Sequence, residues 1–316
     1  MTEQPVQLPE PDAVGRRRSV MTTSAGTHPG AFTPLDWAMF ISIGVIWGSS
    51  FLLIAIGLDS FEPGLVTWLR ITLGASVLWL VPAARRRVNR ADLPRLVAIS
   101  LLWVAIPFTL FPLAEQRIAS GLTGLVNGAM PIFAVAVGSL MLRRAPGRPQ
   151  TMGLAVGFLG VAAIAFPSIS EGSSEAAGFA MALVAIVCYG FAINIAAPLT
   201  QRYGSLPVMA RMLALASIWT LPLGLLSVGG SDFAWPSALA VAGLGAVGTG
   251  VAFVVMGHLV ARVGSRRASF ATYLIPVVAL ILGVVFRDEA VHLLSVIGIG
   301  LVIAGALLAS RKERVA

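Results

Sequence analysis

Charge is scarce in this sequence. Only 11% of its 316 residues are Asp, Glu, Lys or Arg, against about 25% in an ordinary soluble domain. With 57% hydrophobic residues and a mean hydropathy of +0.88, the chain holds more apolar surface than a water-soluble core can hide. Cysteine is nearly absent: the single Cys188 lies inside an apolar run, which excludes a disulfide framework or a thiolate metal cluster and leaves it as a small packing residue. No Asp or Glu stands mid-way along an apolar run, so the buried acid with which carriers of cationic drugs commonly exchange protons is missing near Trp47. Three histidines and acids confined to run ends supply no nucleophile–base pair, metal cluster or cofactor motif. Neither an enzyme nor a cofactor is expected.

What the sequence does have is ten apolar stretches of membrane-spanning length. A helix rising about 1.5 Å per residue needs about 20 residues to cross about 30 Å of hydrocarbon. The candidates are Leu35 to Gly57, Pro63 to Val81, Leu93 to Ala114, Ile118 to Leu142, Gln150 to Ile169, Ala177 to Leu199, Leu206 to Val228, Trp235 to Val260, Ala268 to Phe286 and Ala290 to Ser310. Of 22 basic residues, 18 fall on one side if the N-terminus is cytoplasmic, whereas the opposite loops carry Asp59, Glu62, Glu115, Glu171, Glu175, Asp232, Asp288 and Glu289. That asymmetry predicts both termini inside and an even number of spans. The net charge of +8 is scattered over inner loops and tails, which speaks against nucleic-acid binding. Residues 1–33 read as a flexible cytoplasmic tail and 311–316 as a second short tail. No cleavable signal peptide is evident, and Arg16 to Arg18 lack the adjoining apolar run of a twin-Arg signal.

The two halves repeat. Trp47-Gly48 aligns with Tyr189-Gly190 and Arg70 with Arg211, while Pro131, Gly138, Gly153 and Gly160 meet Pro276, Gly283, Gly298 and Gly305 at a constant offset of 145. The repeats are expected over 34–169 and 177–310, with 170–176 as an outer loop. Five helices per repeat is odd, so the second copy enters the membrane from the other side. Such inverted pairs suit alternating access. The fold expected is therefore all-α and integral to the membrane, with ten transmembrane helices in two inverted five-helix repeats.

Val45-Ile46-Trp47-Gly48-Ser49-Ser50-Phe51, Arg70, Pro131, Gly153 and Gly160, with their second-copy counterparts, resemble the ten-helix EamA-type carriers of the drug/metabolite transporter superfamily, from about Asp36 to Ser310. The resemblance implies a bacterial inner-membrane carrier of small metabolites, often an exporter of amino acids or related compounds.

Several residues are candidates for the substrate path. Arg70 lies about 10 Å inside the second span; it either receives a carboxylate, snorkels to the headgroups, or pairs with Glu115 or Asp59. Arg211 lies nearer its span end, where snorkelling is easier. Pro131 and Pro276 remove the helical donors to the carbonyls of Asn127 and Thr272, which either opens a polar cavity or only kinks the helices for packing. Trp47, Ser49, Ser50, Tyr189, Asn194 and Tyr273 would give aromatic and hydrogen-bonding walls, or pack. His258 reads as interfacial. The expected function is movement of a neutral, zwitterionic or anionic small molecule across the lipid bilayer, by export; a channel, scaffold or membrane enzyme is the alternative.

Overall fold

The computed structural model describes residues 31–141, 143 and 147–309; most of the 1–33 tail, the 311–316 tail and the basic run at Arg16 to Arg18 lie outside the described residues. Among the described residues the chain is entirely helical. In order, the helices are α1 Pro34–Leu58, α2 Pro63–Leu80, α3 Leu93–Ile99, α4 Ile106–Glu115, α5 Ser120–Asn127, α6 Met130–Met141 and α7 Arg148–Glu171. Then come α8 Ser173–Tyr203, α9 Ser205–Leu226, α10 Trp235–Gly245, α11 Ala252–Val263, α12 Ser265–Ser269, α13 Leu274–Arg287 and α14 Leu293–Ala309.

Nine spans among the described residues are long and apolar enough to cross a membrane, and α14 adds a shorter apolar helix. Large apolar side chains such as Leu80, Leu226 and Leu293 stay on the outside. Lipid accepts such a surface, and helices satisfy their own backbone groups within it. The chain is an all-α integral membrane protein.

Each start and close contact has a local cause. Pro34 opens α1 behind a capping box in which Asp36 N donates to Thr33 Oγ1 at 3.3 Å and Thr33 N to Asp36 Oδ2 at 2.9 Å. Gly44 and Gly48 let α13 approach, since a Cβ there would come 2.5 Å from Cβ of Leu274 and of Val278. At Gly160 and Gly298 added Cβ atoms would meet each other's backbone carbonyls at 2.6 and 2.8 Å, so α7 and α14 pack backbone to backbone.

Four of the ten expected spans are composite. α3 and α4 join through a π segment, Ser100–Ala105, and α10 and α11 through a second, Ala246–Val251. Ile118 to Leu142 divides into α5 and α6 at Gly128, where Pro131 has no amide to give Asn127. Likewise a 3-10 turn, Phe270–Tyr273, precedes Pro276 in α13. Both prolines thus accompany interruptions, more than bends. The expected loop 170–176 is helical except at Gly172, because α7 and α8 run past the apolar stretch at either side.

Ion pairs tie the two halves at both ends of the bundle. At one end Arg262 Nε donates to Asp36 Oδ1 at 2.6 Å, and Asp92 Oδ2 accepts from Tyr203 at 2.7 Å and Arg202 at 3.1 Å. At the other, Arg287 grips Asp59 through two bonds of 2.8 and 2.9 Å. There too Glu289 accepts from Ser120 N at 2.8 Å, Ser120 Oγ at 2.6 Å and Gly121 N at 2.7 Å.

Candidate functional site

The helices line a cavity of about 110 Å³, whereas one water needs about 10–15 Å³. It has room for several waters or one small molecule. Six of the ten candidates line it: Trp47, Ser50, Arg70, Asn127, Tyr189 and Thr272. The rest of its wall is mostly aromatic, with Phe51, Trp103, Phe108, Phe111 and Phe253. Phe51 meets Phe111 edge-on at 5.7 Å, Phe111 lies 5.9 Å from Tyr189, and Trp47 meets Phe253 at 6.0 Å.

Arg70 is only 7% exposed. Its Nε donates to Thr249 Oγ1 at 3.2 Å, and its guanidinium lies over the Phe108 ring at 3.8 Å. Neither expected acidic partner holds it: Asp59 is taken by Arg287, and Glu115 makes no hydrogen bond. Of five N–H donors, only the one on Nε has an acceptor among the described residues. The guanidinium thus keeps donors on Nη1 and Nη2 that no described residue takes up, in the planar fork whose geometry matches a carboxylate.

Its two supports follow from local helix irregularities. Pro112 cannot donate to Phe108 O one turn back, and Thr67 Oγ1 of α2 reaches that carbonyl at 2.9 Å. This bond seats α4 so that the Phe108 ring lies beneath Arg70. Thr249 belongs to the second π segment, where its hydroxyl bonds Leu244 O, five residues back, at 3.1 Å. π segments recur at functional sites because they re-aim side chains; the first one brings Trp103 to the same cavity.

Four candidates lie elsewhere. Ser49 Oγ turns back to Ile46 O at 3.1 Å. Asn194 Nδ2 donates to Ala134 O at 3.0 Å and Gly190 O at 2.8 Å, joining α8 to α6. Arg211 Nη1 donates to Ala84 O at 3.1 Å and Pro207 O at 3.0 Å, tying α9 to the turn after α2. Tyr273 packs on Phe270 at 5.9 Å.

The sequence reading missed Phe108, Trp103 and Thr249. Thr249 carried a signal, a hydroxyl between Gly248 and Gly250 in an apolar run; Phe108 and Trp103 carried none. Glu115 needs correction as well. The sequence puts it in an outer loop, yet both carboxyl oxygens are buried and make no hydrogen bond, because α4 continues to that residue while packed against α8.

The EamA-like transporter family model matches twice, over residues 37–166 and 176–311. A probable terminal-alkyne amino-acid exporter of Streptantibioticus cattleyicolor is 28% identical over 87% of this chain and 93% of its own length. A probable amino-acid metabolite efflux pump of Salmonella typhimurium is 26% identical over 85% of this chain and 93% of its own. A solved crystal structure, 18% identical, superimposes with a TM-score of 0.57 over 87% of this chain and 96% of the other, which shows the shared fold. The chain belongs to the EamA-like transporter family.

Proposed function

We propose that this transporter is an inner-membrane carrier exporting a small carboxylate-bearing metabolite, an amino acid or a related compound, by alternating access. In this reading 34–169 and 177–310 are inverted five-helix repeats, both termini are cytoplasmic, and the Asp36 end faces the cytoplasm. Trp47, Ser50, Arg70, Asn127, Tyr189 and Thr272 form the substrate path, and Arg70 takes the carboxylate. Asn194 and Arg211 tie the helices around it, and Ser49 and Tyr273 make local contacts outside it.

The observation that carries the reading is Arg70, buried in the cavity with no carboxylate in ion-pair or hydrogen-bond contact among the described residues. The closures at both ends, Asp36 with Arg262 and Asp59 with Arg287, support a carrier over an open channel. Relatives named as amino-acid exporters support the substrate class and the direction.

The test is counterflow of labelled amino acids in liposomes without an ion gradient, comparing wild type with Arg70→Ala and Arg70→Lys. Saturable exchange that Arg70→Ala abolishes is expected, with Lys restoring only part because it lacks the planar fork. Exchange unchanged by Arg70→Ala would remove Arg70 from the site, and conductance without saturation would favour a channel.

A further inference from the structure

A carboxylate on Arg70 leaves the other polar wall of the cavity unassigned. That wall is built where two helices break. Asn127 ends α5, and Thr272 lies in the turn before α13; both line the cavity. α5 and α13 pack on each other, while α2, which bears Arg70, packs on α9 and the second π segment. The two polar groups therefore stand on separate walls.

The chemistry of the second wall is that of a hydrogen-bond acceptor. Pro131 carries no amide hydrogen, so Asn127 O loses its helical donor; Pro276 likewise gives Thr272 O nothing, though the Leu274 N–H lies against that carbonyl. Asn127 closes α5, and the carbonyl end of a helix carries partial negative charge and favours a cation or a donor. The Asn127 side-chain amide has no hydrogen-bond partner among the described residues, and neither of its polar atoms is sealed away. Thr272 Oγ1 spends its hydrogen on Ser269 O at 2.8 Å and so has only lone pairs left to offer. No carboxylate lines the cavity, so this wall recognises a donor through neutral acceptors.

We propose that the break between α5 and α6, with Asn127 at its centre and Thr272 beside it, is the subsite for the substrate's α-ammonium group. The cavity then selects α-amino acids over plain carboxylic acids: the anion at Arg70, the ammonium at Asn127 and the lone pairs of the Thr272 hydroxyl, the side chain among the aromatic rings. This rests on the Arg70 reading above and adds a second point of recognition to it.

The experiment measures binding to purified wild-type protein by ligand-induced thermal stabilisation. The probes are a panel of apolar α-amino acids, each paired with its des-amino acid and its 2-hydroxy acid. Wild type is expected to prefer the amino acid over the des-amino acid by about ten- to a hundredfold, the worth of one hydrogen bond to a charged group. Asn127→Ala should reduce that ratio several-fold and Asn127→Asp should raise it, while Arg70→Ala weakens both partners of a pair. A general loss of structure would weaken both partners alike and leave the ratio unmoved, so the ratio reports recognition. Equal binding of amino and des-amino acids by wild type, a ratio insensitive to both Asn127 variants, or a preference for the hydroxy acid over the amino acid would overturn the inference with the Arg70 reading intact. If no acid in the panel binds in an Arg70-dependent way, the carboxylate reading falls and this inference with it.

Discussion

The bond from Thr67 to Phe108 allows a calculation from structure to stability. Phe108 O lacks its helical donor because residue 112 is proline, and Thr67 Oγ1 replaces that donor at 2.9 Å in a buried setting. The same hydroxyl lies 2.8 Å from Pro63 O, but that carbonyl already stands in the helix ladder and needs it less. Thr67→Val keeps the side-chain shape and strands one buried carbonyl, at a cost of about 1–3 kcal/mol. It also loosens the ring beneath Arg70, a contact worth about 0.5–2 kcal/mol. Thr67→Ser should lose much less. Pro112→Ala returns an amide to Phe108, so in that background Thr67→Val should cost less than half as much. The assay is unfolding of the purified protein in detergent, followed by tryptophan fluorescence and arranged as a double-mutant cycle. Equal stability of Thr67→Val and Thr67→Ser, or the same cost of Thr67→Val in both backgrounds, would refute the reasoning.

Two further outcomes follow from residues outside the cavity. Asn194→Ala removes the bond from α8 to Ala134 O and should lower stability by about 1 kcal/mol while leaving substrate preference unchanged; an altered preference in competition assays would put Asn194 on the path. Glu115→Gln should leave the melting temperature unchanged or raise it, since the carboxylate has no hydrogen bond to lose; a clear fall would reveal a partner for that group.

Legibility in the sequence followed the range of the forces involved. The spans were readable because hydrocarbon thickness fixes helix length, and Gly153, Gly160, Gly298 and Gly305 were readable as close packing because only residues without side chains fit there. The division of Ile118 to Leu142 was half readable: Pro131 announced a disturbance, but whether a helix bends or breaks depends on what packs beside it. Arg70 was readable as an expensive buried cation, and its partners were not. Thr249 reaches it across 179 positions of sequence, and Phe108 reaches it through a bond that Thr67 makes to a carbonyl freed by Pro112. Asn194 and Arg211 match Asn127 and Arg70 in residue type, although Arg211 lies nearer its span end. What separates them is a backbone carbonyl of a neighbouring segment within reach, Ala134 O for Asn194 and Ala84 O for Arg211, which depends on helix packing.

The central claim is a charge contact between Arg70 and a substrate carboxylate, and the most direct measurement compares binding of an amino acid and its methyl ester to wild type and to Arg70→Ala. The account predicts that wild type binds the acid at least about tenfold more tightly, as expected for one charge-assisted contact, and that the difference vanishes in Arg70→Ala. Equal binding of acid and ester by wild type, or a preference that survives in Arg70→Ala, would contradict it.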